Sequence, residues 1–334
     1  MHLSLLLPLY NTESTLLNCL NSVLSQDWEG LNFKNNLELV LVNDASTSRD
    51  SDGKTSKQII KQFKKSVRKA HKKIKIIYIE HYQNKGLVEA RRTALYASSG
   101  KYVMILDTDD TLPPNALSSL YTTGVQQDAD IVHGRTNVNA TTPSLAEKIL
   151  KKANLIYTQN GGILLGPQIL DAMLVHHSIN SFLWGKLYKR ELYLNAFEYI
   201  PPVYNTFAED YLQSLWLYFC AQKYVSLPDT VYNYNYKTGI SSHKKITDLD
   251  TWQKVCSTAS VFTSIFSTID TLPQGTFTPA QEDSIKTMCR TYLKNNLTQL
   301  NNAVLPDLRP QAYALLCDYW GTDFVEEIQN DLSL

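Results

Sequence analysis

Three carboxylates fall within four residues at Asp107-Thr108-Asp109-Asp110, directly after the apolar run Val103-Met104-Ile105-Leu106. Such a cluster repels itself, and a fold retains it at a strand end when a cation neutralises it. Carboxylate oxygens suit hard divalent ions such as Mg2+ or Mn2+, which bind best when a phosphate supplies further ligands. An isolated Asp-x-Asp would read as an acidic turn capping the next helix; its place behind a buried strand favours the metal. A second acidic pair lies in Phe207-Ala208-Glu209-Asp210-Tyr211 and opens a helix carrying Leu212, Leu215, Trp216 and Phe219. There one carboxylate could take a proton from an acceptor hydroxyl while the other orients it. The helix dipole would welcome the same two acids without any chemistry.

The elements that must position these acids alternate. Leu3–Leu9 and Leu37–Val42 read as buried strands, the second closing at Asn43-Asp44. Ile74–Ile79 and Tyr102–Leu106 complete four. Between them run helical stripes: Leu16, Leu20, Val23 and Leu24 after candidate caps at Asn11, Thr12 and Ser14; Ile60, Phe63, Val67 and Ala70; and Leu87, Ala90, Ala94, Leu95 and Ala97. A further helix follows from about Pro114. This alternation predicts an α/β fold, a mostly parallel sheet with helices on both faces. Ligands of such sheets sit beyond the carboxyl ends of the strands, so Asn11, Asp44 and Asp107 should share one edge.

Composition sets the outer bounds. The chain has 334 residues, 43% of them apolar, with 32 basic and 32 acidic side chains. That excludes a disordered protein and argues against a bulk polyanion partner such as nucleic acid. No stretch reaches the roughly 18 apolar residues of a membrane span, and Leu3–Leu9 makes a poor signal peptide. The five cysteines are scattered and form no Cys-x-x-Cys pair, which suggests reduced thiols and a cytoplasmic setting. Lys54 to Lys75 carries ten Lys/Arg and no acid, a solvated helix face that would also permit peripheral contact with the inner face of a membrane. From about residue 246, helical stripes separated by Pro273, Gly275, Pro279, Pro306 and Pro310 predict a small helical region over 246–334, behind a main domain over 1–245. Tyr232, Tyr234 and Tyr236 alternate as in a strand with one exposed face, and no substrate is read from them.

Taken in order, Leu7-Pro8-Leu9-Tyr10-Asn11, Val42-Asn43-Asp44-Ala45-Ser46, Asn84-Lys85-Gly86, Ala90-Arg91, Asp107-Thr108-Asp109-Asp110 and Glu209-Asp210 resemble family-two glycosyltransferases of the GT-A (Rossmann-like) fold. Trp184-Gly185-Lys186-Leu187-Tyr188 looks like a segment common in bacterial polysaccharide members. The resemblance covers roughly the first 245 residues. It implies a metal-dependent, inverting transferase moving a sugar from a nucleotide-diphosphate donor, most often a UDP-sugar, to a hydroxyl of a glycan or lipid-linked acceptor. It implies that Pro8, Tyr10 and Asn11 shape the nucleotide pocket and that Asp44 binds the base. Asn84, Gly86 and Arg91 would line the nucleotide and its diphosphate. Asp107 would hold the ribose or sugar side, and Asp109, with Asp107 and His243, the Mn2+ or Mg2+. Asp210 would be the base and Glu209 its neighbour. The chain departs from the pattern at Ala45, where many relatives have Gly, at Arg92, where they often have Asn, and in its long basic segment 47–73. Two alternatives stand beside this reading. Asp107-Thr108-Asp109-Asp110-Thr111-Leu112 also resembles the first motif of haloacid-dehalogenase-like phosphatases, with Asp107 as nucleophile and Asp109 as acid–base. The fold could also serve a non-catalytic carbohydrate-binding protein.

Overall fold

The computed structural model describes residues 2–27, 37–70, 73–205, 207–236 and 245–333. Eight strands form one sheet in the order β3-β2-β1-β4-β7-β5-β8-β6. The first half is β1 (Leu3–Leu9), α1 (Glu13–Leu24), β2 (Leu37–Asn43), α2 (Ser56–Lys69), β3 (Ile74–Glu80), α3 (Leu87–Ala97), β4 (Tyr102–Ile105) and α4 (Ala116–Gln127). Its four strands are mutually parallel. Both faces of β1 and β2 are buried, so every residue in them is covered and the strands read as continuous apolar runs. Leu5, Leu7, Leu39 and Leu41 face α1 and α2, while Leu6, Val40 and Val42 face α3.

The second half is β5 (Ile131–Asn139), α5 (Pro143–Ala153), β6 (Ile163–Leu165), α6 (Pro167–Leu174), β7 (Lys186–Lys189), α7 (Arg190–Phe197), α8 (Glu209–Cys220) and β8 (Lys223–Asn235). Here the parallel run breaks. The short β7 inserts antiparallel between β4 and β5, β8 lies parallel to β5, and β6 closes the far edge antiparallel to β8. Register shifts between His133 and Thr136 bend β5 against β8.

The chain ends in α9 (Leu249–Cys256), α10 (Thr258–Ile269), α11 (Pro279–Asn302), α12 (Arg309–Trp320) and α13 (Thr322–Ser333). Trp252, Leu293, Leu297, Leu316, Val325 and Ile328 form a separate apolar cluster among these helices. Val261, Phe262, Ile265 and Ile285 join instead the main core beneath α8. Among the described residues no helix is long and apolar enough to cross a membrane.

Candidate active site

The end of β1 is built around Asn11. Its backbone is left-handed (φ 55°), a conformation Asn tolerates better than other non-glycine residues. Asn11 does not cap α1; its Oδ1 accepts from the backbone N–H groups of Thr47 (2.9 Å) and Ser48 (3.0 Å), and its own N–H donates to Ser46 Oγ (3.0 Å). It thereby ties the first strand–helix turn to the second. Ala45 in that second turn is also left-handed (φ 61°).

Asp44, at the end of β2, is buried and organises the turn after β3. Its Oδ1 accepts from the backbone N–H of Lys85 (2.9 Å) and its Oδ2 from that of Gly86 (2.9 Å). His81 Nδ1 lies 2.6 Å from Oδ1, and its other ring nitrogen lies 3.0 Å from Thr93 Oγ1. Asn84 donates from its side chain to the Asp44 carbonyl (3.3 Å). Asp44, Asn84 and Gly86 thus form one connected turn. A carboxylate offers about four acceptor positions, and three contacts occupy most of those of Asp44. Gly86 has φ 88°, and a Cβ there would lie 3.1 Å from the backbone oxygen of Asn205, so both conformation and space require glycine.

The acidic loop after β4 divides its labour. Asp110 is buried; its Oδ2 accepts from Tyr232 Oη (2.8 Å) and its Oδ1 from the Asn235 N–H (2.6 Å). The Asp107 N–H donates to the same Tyr232 oxygen (3.2 Å), and Asn235 Nδ2 donates to the Asp109 carbonyl (3.1 Å). Burial, then Asp109 and Asp107, push the Asp110 carboxyl up to about 9. Asp110 therefore pins the loop to the end of β8. Thr108 fastens it to β1, through Thr12 Oγ1 (2.6 Å) and the Pro8 carbonyl (3.3 Å). Asp107 and Asp109 are left half-buried.

Arg91, on α3, joins this loop to the second acidic pair. The guanidinium is 1% exposed, with Nη1 2.8 Å from Asp210 Oδ1, Nη2 3.5 Å from Asp107 Oδ1 and Nη1 4.0 Å from Glu209 Oε1. Burial opposes its charge, but the three acids more than compensate and raise its pKa. The acids remain in local excess. Burial raises Asp107 to about 6 against the pull of Arg91, with Asp109 and Asp210 adding to the rise. Burial and then Asp210 raise Glu209 to about 8. Glu209 and Asp210 begin α8 immediately after Ala208, whose φ of 63° turns the chain into the helix.

A metal ion would find a partial cage here. Among the described residues no three His, Cys, Asp or Glu side chains are grouped to hold one. Both Asp110 oxygens are engaged, so Asp107 and Asp109 are the loop's half-buried carboxylates that a cation would meet. Two carboxylates that leave the other positions to phosphate oxygens and water suit Mg2+ or Mn2+, and the unbalanced negative charge favours such an ion. His243 lies outside the described residues.

Several groups at the site were given no task by the sequence. Tyr232 reads only as an alternating strand residue, yet it holds Asp107 and Asp110 together and stacks on Trp184 (5.3 Å between rings). His81 sits in no motif, but it lies against the Asp44 carboxylate. Lys186, in a strand and wholly buried, donates from Nζ to Asn180 Oδ1 (2.6 Å) and to the Phe182 carbonyl. Ser214 and Tyr218 of α8 donate to the carbonyls of Ser181 and Asn180 (2.7 Å each), so the same turn anchors the helix that bears Asp210.

A cleft of this geometry can be compared with known proteins. The family model described as glycosyl transferase family 2 matches residues 4–193. The chain belongs to glycosyl transferase family 2. Membership overturns the phosphatase alternative for Asp107 and Asp109, because the acidic loop follows the fourth strand of a glycosyltransferase fold. Among curated family-2 relatives, glycosyltransferase GlyA of Streptococcus pneumoniae is 29% identical over 241 residues, covering 71% of this chain and 31% of its own. Poly(ribitol-phosphate) β-N-acetylglucosaminyltransferase TarP of Staphylococcus aureus is 29% identical over 153 residues, 46% of this chain and 42% of its own. The chain thus spans about a third to a half of the length of the relatives it matches. In fold it is similar to S. aureus TarS 1–349 solved with UDP (TM-score 0.56, 17% identity, 99% of this chain and 92% of that one). It is also similar to a Pyrobaculum calidifontis mannosyltransferase solved with GDP-mannose and Mn2+ (TM-score 0.53, 17% identity, 98% and 83%). These likenesses establish the GT-A architecture expected for the family-2 chain.

Proposed function

We propose that this protein transfers a sugar, with inversion, from a nucleotide-diphosphate donor to a hydroxyl of a glycan, polyol-phosphate or lipid-linked acceptor. The observation that carries the reading is Arg91, which gathers Asp107 of the first acidic cluster and Asp210 of the second into one group of charges. The donor is a UDP-sugar in this reading. Support comes from the Asp44-centred turn and from solved relatives of the same fold carrying UDP or UDP-GlcNAc. Pro8, Tyr10 and Asn11 border the base, Asp44 accepts a hydrogen bond from it, and Asn84 and Gly86 hold the backbone turn against the nucleotide.

Asp107 and Asp109 would hold a Mn2+ or Mg2+ ion, which when bound supplies positive charge to the departing diphosphate. Arg91 contributes fixed positive charge at the same place and sets the separation of the two acidic groups. An acceptor hydroxyl is a poor nucleophile near neutral pH, so Asp210 takes its proton as the bond to the anomeric carbon forms. Attack from the side opposite the leaving group inverts that carbon, and no enzyme nucleophile is needed. Glu209, its carboxyl raised by burial, is suited to donate a hydrogen bond to the acceptor. A polyol-phosphate acceptor is supported by TarP and the poly(ribitol-phosphate) β-glucosyltransferase of Bacillus spizizenii among the relatives.

The test is a thermal-shift screen of UDP- and GDP-sugars with Mn2+ and with chelator, since a ligand that binds only the native state raises its stability. A shift with one donor class that needs Mn2+ is expected. Full donor binding and turnover in chelator would remove the metal, and no shift with any nucleotide sugar would remove the donor reading.

A further inference from the structure

Asn205 is wholly buried, yet neither its Oδ1 nor its Nδ2 has a hydrogen-bond partner among the described residues. Buried amides are almost always paired, and an orphaned one weakens the fold, so its retention calls for another reason. Other buried groups without partners, such as Tyr211 Oη and Trp216 Nε1, lie on the core side of α8. Asn205 leaves both a donor and an acceptor unused, and it does so at the site.

Its position links the two halves of the cleft. The Asn205 backbone packs on Gly86, which is held by Asp44 and opens the helix carrying Arg91. A few residues further along the chain lie Glu209 and Asp210. Asn205 therefore stands where the nucleotide-holding turn meets the segment that presents the base.

The unmet chemistry specifies the ligand. A carboxamide presents one acceptor oxygen and two N–H donors. A phosphate oxygen only accepts, so it would leave Oδ1 unpaired. A hydroxyl both donates and accepts, and neighbouring sugar hydroxyls satisfy the two ends of the amide together. We propose that Asn205 is a specificity-determining residue that reads hydroxyls of the transferred sugar. This rests on the nucleotide-sugar reading above. The amide is closed to solvent in the ligand-free chain, so contact requires the Tyr204–Asn205 backbone to shift relative to Gly86.

The test compares wild type with Asn205→Leu, close in size and without polar atoms, and with Asn205→Ala should the first not fold. Melting temperature is measured without ligand. Affinities for UDP-GlcNAc, UDP-glucose and GDP-mannose, and for UDP and GDP alone, are then measured by calorimetry with Mn2+. The expected variant melts above wild type, binds the nucleoside diphosphate equally, and binds the cognate nucleotide sugar about tenfold or more weakly. A variant that melts lower and binds the sugar nucleotide as wild type does would make Asn205 structural and overturn the proposal. An equal loss for the nucleoside diphosphate would assign the contact to ribose or diphosphate and overturn it as well. Wild type that binds none of these probes would defeat the donor reading, and this proposal with it.

Discussion

Arg91 Nη1 lies 2.8 Å from Asp210 Oδ1, although the two residues are 119 positions apart and on different helices. The contact is made by a buried cation, and losing it would leave Asp107, Glu209 and Asp210 facing one another unneutralised. Arg91→Met is expected to lower stability by about 3 kcal/mol, the usual cost of stripping one partner from a buried charged group. It should also abolish transfer. Urea denaturation and a donor-consumption assay check both; a fully stable variant would show that the acids need no guanidinium.

Asp210→Asn keeps an oxygen for Arg91 and removes the proton acceptor. Transfer should fall by about 100- to 10,000-fold, the usual contribution of a positioned base. Binding of the nucleotide alone should stay close to that of wild type, measured by calorimetry. Near-normal turnover in this variant would refute the assignment of the base.

Ala45 occupies a left-handed backbone position, a conformation that glycine adopts at no steric cost. A Cβ in that region costs roughly 1–2 kcal/mol, partly offset by the extra freedom glycine has when unfolded. Ala45→Gly should therefore raise stability by about 1 kcal/mol or slightly less. A lower denaturation midpoint for the variant would contradict the backbone argument.

Burial lowers the Lys186 ammonium to about 7, against a small opposing pull from Asp210. Between pH 7 and the ordinary lysine range the unfolded chain then holds a proton that the folded chain has released. The unfolded state binds more protons there, so this residue makes stability rise with pH, by up to about 1.4 kcal/mol per pH unit. Lys186→Met should remove that component, so the wild-type-minus-variant difference in denaturation midpoint should rise between pH 7 and 10. Parallel profiles for the two proteins would show that Lys186 stays charged.

The outer face of α2 carries Lys57, Lys61, Lys64, Lys65, Arg68 and Lys69, while Ile59, Ile60, Phe63 and Val67 are buried beneath. We infer weak, salt-sensitive attraction to an anionic membrane, of about 1 kcal/mol per basic residue near the surface. Co-sedimentation with phosphatidylglycerol vesicles at low salt should be lost when Lys61, Lys64, Lys65 and Lys69 become Gln. No sedimentation of the native protein would dismiss the contact.

The first half of the fold was legible because its strands are parallel and β1, β2 and β4 are covered on both faces, so these appear as nearly unbroken apolar runs. The acidic loop was legible for the same reason: it follows such a run. The second half was not. β8 contains Pro228 and Asp229 and ends in alternating Tyr and Asn, and β7 has four residues, two of them lysine, pairing with strands distant in sequence. Lys186 looks like a surface residue by type, and only the tertiary packing of Asn180 and Phe182 accounts for its burial. Asp110 is indistinguishable from Asp107 and Asp109 in sequence; Tyr232 and Asn235, more than 120 positions away, give it a different task.

The long span between Arg91 and Asp210 bears on how the polypeptide is made. The ribosome delivers the first two hundred residues before the carboxylate that neutralises the guanidinium exists. Until β7 emerges one border of β4 stays unpaired, and until α8 emerges the nascent chain must keep that cation hydrated. Closure of this cluster therefore waits on the delivery of α8, and chaperones that guard unfinished chains would meet this one with its acidic loop and buried guanidinium not yet joined.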